Sequence, residues 1–493
     1  MQEELSLPPT ELKRELGLFD STMIVIGSMI GSGIFIVTAD IARHVGAPGY
    51  ILLIWLITGL ITTFAALSYG ELAGMMPKAG GQYIYLQEAY GSLTGFLFGW
   101  SVFMVIQTGV IAAVAIAFAK FTGVIFPWFS TENVLFTIFN FKFNTQQLLA
   151  IASIALLTYI NLRGVANAKI VQLVFTVAKI VALIGLIILG IYIGFNSEVF
   201  KSNLVDFWKP YKIIEEAGKI TMQSISGTTL LSAMGLAMVG SLFSSDAWNN
   251  ITYTAGEVKD PKRNIPLSLF YGTLTVTVLY ILANVAYLCL LPVQGSNVGA
   301  SAIERGIMFA TSDRVGTAAA EQIFGNPAIV IMAILIMVST FGCNNGLILS
   351  GARVYYAMAK DGLFYKKAGT LNKNNVPAFA LIIQAIWTCV LCLSGTYGKL
   401  LDYCTFASLA FYILTIIAVF ILRVKEPNIP RPYKAFGYPV IPAVYILVGS
   451  AICINLLIYK SDTSWAGVGI VLLGIPIYYL NKRKKSKIVK EKI

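Results

Sequence analysis

The chain has 493 residues, of which 57% are hydrophobic and only 12% charged, about half the charged share of an ordinary soluble domain. With a mean hydropathy of +0.75, the low-charge stretches are too long and too frequent for globular cores. This composition excludes a soluble enzyme and makes the bilayer the implied solvent. The formal net charge of +12 reads as an orientation signal and not as nucleic-acid binding, because Lys and Arg gather on the side of the membrane that carries both chain ends.

In chain order, 1–18 reads as a cytoplasmic N-terminal tail. Apolar runs then predict five spans at roughly 19–44, 49–75, 93–124, 147–163 and 168–194, forming a first block over 19–194. The first run opens near Phe19 and leads straight into the second, so a cleaved signal peptide is not expected. Five more spans follow at roughly 228–256, 266–291, 327–357, 377–394 and 399–423, a second block over 228–423. Two helices at roughly 438–459 and 464–481 occupy 438–481. A basic tail, 482–493, closes the chain with Lys482, Arg483, Lys484 and Lys485, suited to anionic lipid. Long outside loops fall at 196–227 and 295–325, the latter with a predicted amphipathic surface helix over 302–323. The reading is thus an all-α polytopic protein of twelve transmembrane helices in the plasma (inner) membrane, both termini cytoplasmic.

The six cysteines, Cys289, Cys343, Cys389, Cys392, Cys404 and Cys453, all lie in or beside apolar segments and read as packed thiols. His44 is the lone histidine. A cysteine-histidine zinc site and bis-histidine haem ligation are therefore excluded, and no metal or cofactor is expected.

Two spans are interrupted alike. The first contains Gly27-Ser28-Met29-Ile30-Gly31-Ser32-Gly33-Ile34-Phe35 and the sixth Gly240-Ser241-Leu242-Phe243-Ser244-Ser245-Asp246-Ala247-Trp248. Gly27 and Gly31 could form a GxxxG packing face. However, both interruptions sit in the first span of a five-span block, and matching broken helices in two halves point to an inverted-repeat transporter site. A broken helix presents free amides on one stub and free carbonyls on the other. Amides near Ser32 and Gly33 would suit a carboxylate; carbonyls near Met29, Phe243 and Ser244 would suit an ammonium. Opposed poles of this kind match an α-amino acid, with glycine at 31 and 33 letting the ligand approach the backbone.

Two charged positions stand out. Asp246 is either an N-cap for the helix resuming at Trp248 or a carboxylate added to the ammonium pole. Lys179 lies about 15 Å from either end of the fifth span, too deep to snorkel comfortably. It reads either as glue between spans or as a coupling or gating charge, and burial leaves protonation-linked transport open.

These segments, together with Tyr69-Gly70-Glu71-Leu72, Pro77 through Tyr83, Trp248-Asn249, Glu257 with Pro261 and Arg263-Asn264-Ile265-Pro266, Arg353 through Gly362, Arg431-Pro432-Tyr433-Lys434 and Gly437-Tyr438-Pro439, resemble the amino acid-polyamine-organocation superfamily, in particular its L-type amino acid transporter branch. The resemblance covers nearly the whole chain. It implies a LeuT-like five-plus-five inverted repeat with broken helices 1 and 6, two extra C-terminal helices and alternating access. It carries the carboxylate site to Gly31, Ser32 and Gly33 and the ammonium site to Met29, Phe243 and Asp246. The side-chain pocket falls on Val105, Ile106, Phe243, Ser339, Cys343, Phe406 and Leu409. Lys179 matches the lysine that takes the place of sodium in sodium-independent members.

Animal heteromeric members attach to a glycoprotein through a cysteine after span three. Residues 122–146 contain none, so no disulfide-linked heavy subunit is expected. Asp246 and Ala247 stand where many relatives carry two glycines. The implied cargo is a neutral amino acid, moved by sodium-independent exchange or proton-linked symport. A membrane amino-acid sensor with the same site is the alternative, although it would be expected to bring a larger cytoplasmic domain. Enzyme and channel readings find no supporting constellation.

Overall fold

The computed structural model describes residues 11–138, 141–216, 219–394 and 397–490, without the side chains of 138, 141, 215, 216, 219, 397–403 or 481–490. The side chains of the basic tail and the start of the N-terminal tail therefore lie outside what is described. Helix α1 (Leu18–Met29) is followed by a short irregular stretch, a 3-10 turn (Gly33–Phe35) and α2 (Val37–Val45), which stops at Gly46 with φ 62°. Helix α3 (Pro48–Met75) opens on a proline, whose missing N–H costs nothing at a first helical position. Helices α4 (Gln82–Tyr90) and α5 (Ser92–Ser101) meet at Gly91, and α5 continues through a π turn (Val102–Ile106) into α6 (Gln107–Ile125).

An antiparallel hairpin, β1 (Val134–Ile138) and β2 (Phe141–Asn144), leads to α7 (Thr145–Leu162). Asn144 caps that helix: its side chain accepts from the Gln147 amide at 2.9 Å while Gln147 accepts from the Asn144 amide at 3.2 Å. Then come α8 (Val165–Gly194), α9 (Glu198–Val205) and a second hairpin, β3 (Tyr211–Glu216) with β4 (Lys219–Ser224). Helix α10 (Gly227–Ser244) breaks before a single turn, α11 (Asn250–Tyr253), and α12 (Pro261–Leu290) follows. The rest comprises α13 (Ala302–Arg305), α14 (Val315–Phe324), α15 (Ala328–Lys360), α16 (Ala378–Leu393), α17 (Tyr397–Lys425), α18 (Val440–Tyr459) and α19 (Ser461–Lys490).

Among the described residues, ten helices are long and apolar enough to cross a membrane, with α1 and α16 apolar but shorter. Helix α12 packs along α3, α1 and α8, and α15 along α6, α8 and α1, so α1 sits at the centre of the bundle. Helices α8, α18 and α19 turn apolar faces outward, with Val181, Leu447 and Leu473 at least 60% exposed. In a membrane protein such faces meet lipid tails.

Span edges fall within a few residues of those read from the apolar runs, and three expectations need correction. The chain is not purely helical, because two segments outside the spans, the first of them largely apolar, fold into small hairpins. The loop over 196–227 is structured, holding α9 and one of those hairpins. The expected surface helix over 302–323 is two separate pieces, α13 and α14. Between them Ser312 and Asp313 adopt φ 54° and 61°, conformations that stop an α-helix.

Candidate functional site

Helix α1 ends where Gly31, Ser32 and Gly33 offer poor propagation. Its last capped amide, Ile30, bonds Ile26 O at 3.0 Å, and pairing resumes only with Phe35 to Ser32 O at 3.1 Å. Among the described residues the amides of Gly31, Ser32 and Gly33 have no acceptor. All three residues are buried. Unpaired amides in a buried stretch are costly unless a ligand or an ordered water takes them.

The carbonyls on the other stub are claimed by four side chains. Lys179 on α8 is 1% exposed and donates to Gly27 O at 2.8 Å, Ile30 O at 2.7 Å and Ser339 O at 2.9 Å. Its three protons thus have three carbonyl partners. Ser339 donates to Gly31 O at 2.8 Å and the Cys343 thiol to Ser28 O at 3.0 Å. The Tyr280 hydroxyl lies 3.2 Å from Met29 O and 3.0 Å from Ser244 O, so the carbonyl ends of the two broken helices converge on one group.

The breaks also touch directly. A Cβ on Gly33 would lie 2.2 Å from Ser244 Oγ and 2.7 Å from Ser244 Cβ, whereas one on Gly31 would meet only Cys343 Sγ at 3.6 Å. Glycine at 33 is therefore required by the facing helix, a different reason from the ligand access expected of it. Gly27 packs against α8, where a Cβ would come within 2.2 Å of both Gln172 Nε2 and Thr176 Oγ1. The packing face at Gly27 and the break beginning at Gly31 coexist four residues apart.

After Ser244 the chain passes through Asp246 and Ala247, the latter at φ 65°, a conformation that a glycine adopts without strain. Asn249 occupies the N-cap position of α11, which corrects the capping role considered for Asp246. The Asp246 carboxylate instead accepts from the Tyr412 hydroxyl at 2.5 Å. Asn249 donates to Gln82 Oε1 at 2.8 Å and Tyr253 at 2.9 Å, and Gln82 donates to Thr415 at 3.0 Å. This buried chain ties the break to α4 and α17. Beside it lies a cavity of about 30 Å³ bordered by Phe243, Asp246, Ser408, Leu409 and Tyr445, room for water and not for an amino acid.

The expected pocket residues divide among three places. Met29, Ser339, Cys343, Ser244 and Lys179 converge on the α1 break, and Phe243 and Leu409 border the small cavity. Val105 and Ile106 lie buried in the π turn, a helix defect common at functional sites. There the Cys404 thiol reaches Val105 O at 2.9 Å and the Trp387 indole reaches Met104 O at 3.0 Å. Phe406 is buried on α17, which packs against that turn. Tyr280 and Tyr412 escaped sequence reasoning, since a lone tyrosine in an apolar span carries no distinctive pattern; Gln82 lies between spans in the quoted run Pro77 through Tyr83, where nothing local marks its bond to Asn249.

Ion pairs tie helices together at both ends. On the side of the N-terminal segment, fully buried Arg353 and Glu257 pair through two bonds of 2.8 and 3.1 Å, and Leu16 bridges Val258. At the opposite end Arg43 of α2 bonds Asp313 at 2.7 Å and Met308 O at 2.9 Å. Among the described residues no cluster of His, Cys, Asp and Glu could hold a metal ion.

The amino acid permease family model matches residues 16–478. The chain is 30% identical over 478 residues to the mouse large neutral amino acids transporter small subunit 2, covering 95% of this chain and 81% of that protein. It is 28% identical to the mouse Asc-type amino acid transporter 1, covering 97% and 82%, and 29% identical to the mouse b(0,+)-type amino acid transporter 1, covering 96% and 89%. Family and relatives are transporters, not enzymes. The chain therefore belongs to the amino acid permease family, within the amino acid-polyamine-organocation superfamily and on its L-type amino acid transporter branch.

Proposed function

We propose that the chain is a secondary active transporter of neutral L-amino acids, working by alternating access in the plasma membrane with both termini cytoplasmic. Twelve spans arranged as a LeuT-like five-plus-five inverted repeat with two added helices form the framework of this reading. The observation that carries it is the buried, acceptorless run of amides at Gly31, Ser32 and Gly33 facing carbonyls of both broken helices. The substrate carboxylate takes those amides. Its ammonium shares Met29, Phe243 and Ser244 carbonyls, each of which has a second lone pair beyond its present partner. Val105, Ile106, Phe243, Phe406 and Leu409 line the side-chain path, and their apolar character supports a neutral cargo. Opening alternates between the Glu257–Arg353 and Arg43–Asp313 ends.

Lys179 places its ammonium among three carbonyls, which supports sodium-independent exchange or proton-linked symport. One relative, the large neutral amino acids transporter, is named a small subunit, which qualifies the expectation of a chain without a partner subunit. All six cysteines are buried or half-buried thiols and none lies in 122–146, which supports the narrower statement that no disulfide joins a heavy subunit there.

The test is uptake of a labelled amino-acid panel by liposomes containing the purified chain, with and without internal amino acid and with an imposed pH gradient. Uptake requiring internal substrate identifies exchange; uptake driven by an inward proton gradient alone identifies symport. Absence of saturable uptake under every condition refutes the proposal.

A further inference from the structure

Where α12 leaves the membrane on the side of the N-terminal segment, a groove of about 820 Å³ opens between α3, the start of α12 and the loop before α18. Its sides carry Lys262 and Arg263 from α12 and Lys434 from the loop, all exposed. No carboxylate among the described residues pairs with any of the three. Asp260 also borders the groove, leaving a net charge of about +2 by simple count. The floor is apolar, formed by Pro266, Leu267 and Phe270.

The loop wall is held firmly. Buried Glu71 on α3 accepts from Arg423 at 2.9 and 2.6 Å and from the Ala435 amide at 2.7 Å. The Tyr433 ring lies so close to Gly70 that a Cβ there would approach it to 2.9 Å. Above the groove, α12 continues as an outward apolar stripe through Tyr271, Leu274 and Val278, between 41% and 47% exposed. From Leu267 to Val278 the helix rises about 16 Å, close to the half-thickness of the hydrocarbon core, about 15 Å. Cations at the membrane surface, an apolar floor and a lipid-length stripe lie in one line.

We propose that this groove is a binding site for an anionic phospholipid of the adjoining leaflet. The headgroup phosphate sits between Lys262, Arg263 and Lys434, and one acyl chain follows Leu267, Phe270, Leu274 and Val278. Charge complementarity selects the headgroup, and the apolar stripe selects a lipid over a free anion. A bound lipid bridges α12 to the loop that Glu71 fastens on α3, so occupancy stiffens the end of the protein that carries the Glu257–Arg353 pair.

The experiment measures lipid retention on the purified full-length chain by native mass spectrometry, with phosphatidylglycerol and phosphatidylcholine of matched acyl chains competing. Wild type is expected to retain phosphatidylglycerol preferentially. Each cation neutralised lowers that preference about fivefold, so Lys434→Gln alone gives a measurable loss and Lys262→Gln/Arg263→Gln/Lys434→Gln a loss on the order of a hundredfold. Lys434→Arg is expected to keep the preference, as is a variant with Lys482, Arg483, Lys484 and Lys485 changed to glutamine. Millimolar inorganic phosphate is expected not to displace the lipid. Equal retention of the two lipids by wild type, no change in Lys434→Gln, loss confined to the tail variant, or displacement by inorganic phosphate would each overturn the proposal. Because the single Lys434→Gln change lies in an exposed loop position, the test stands even if the triple variant fails to fold.

Discussion

A methyl group on Gly33 would press on Ser244 from three sides: 2.2 Å from Oγ, 2.7 Å from Cβ and 3.1 Å from Cα. Rotating the serine removes only the first contact, because Cβ and Cα belong to the facing helix end. Overpacking of this kind costs about 1–3 kcal/mol, which corresponds to a loss of about 5- to 150-fold in the population of the packed state. Gly33→Ala should therefore lower the thermal midpoint of the purified protein and impair liposome uptake. Gly31→Ala, whose methyl meets only Cys343 at 3.6 Å, should stay within about 0.5 kcal/mol of wild type. Adding Ser244→Gly to Gly33→Ala removes the Oγ and Cβ contacts and should recover more than half of the lost stability, a direct coupling between the two breaks. The reasoning fails if Gly33→Ala and Gly31→Ala are equally stable, or if Ser244→Gly gives no rescue.

Three further outcomes follow from the same geometry. Lys179→Met removes three charge-assisted bonds from Gly27, Ile30 and Ser339 and should cost about 3 kcal/mol or more, read as a lower unfolding midpoint together with loss of uptake. Asp246→Asn and Tyr412→Phe share one hydrogen bond, so their double-mutant cycle should give a coupling of about 1–2 kcal/mol in stability; additive effects would contradict the pairing. Ala247→Gly relieves a residue at φ 65° and should raise stability by up to about 1 kcal/mol, measured by the same thermal assay.

The carbonyl pole also bears on how the site stays intact without substrate. Lys179, Ser339, Cys343 and Tyr280 each satisfy carbonyls that a broken helix leaves open, so the carbonyl side is preorganised by the protein. Among the described residues the amide side has no such partners. Under the proposed function, capture of an amino acid would begin with its carboxylate, since an unpaired buried amide gains most from an incoming acceptor.

Much of this was legible from residues in order. Gly31, Ser32 and Gly33 interrupt an apolar run and α1 ends beside them; Lys179 is deep in its span and proves buried. The partners were not legible. Lys179 and Gly27 are 152 positions apart, and Asp246 and Tyr412 are 166 apart. No local pattern marks Tyr280 as the meeting point of both breaks. The hairpins and the divided 302–323 segment escaped for a related reason: outside the bilayer, apolar length no longer dictates structure, and short connecting segments take the form that the surrounding helices leave room for.

The sequence by itself determined that this chain lives in a bilayer, where its helices run and where two of them must break, because apolar length, glycine content and the depth of a single lysine are properties of contiguous residues. Only the tertiary structure decided which carbonyls Lys179 holds, that Gly33 is reserved for Ser244, and that three cations from distant segments border one groove. Those facts depend on the rotation and depth at which each helix sits against its neighbours, which the packing of the whole bundle settles together.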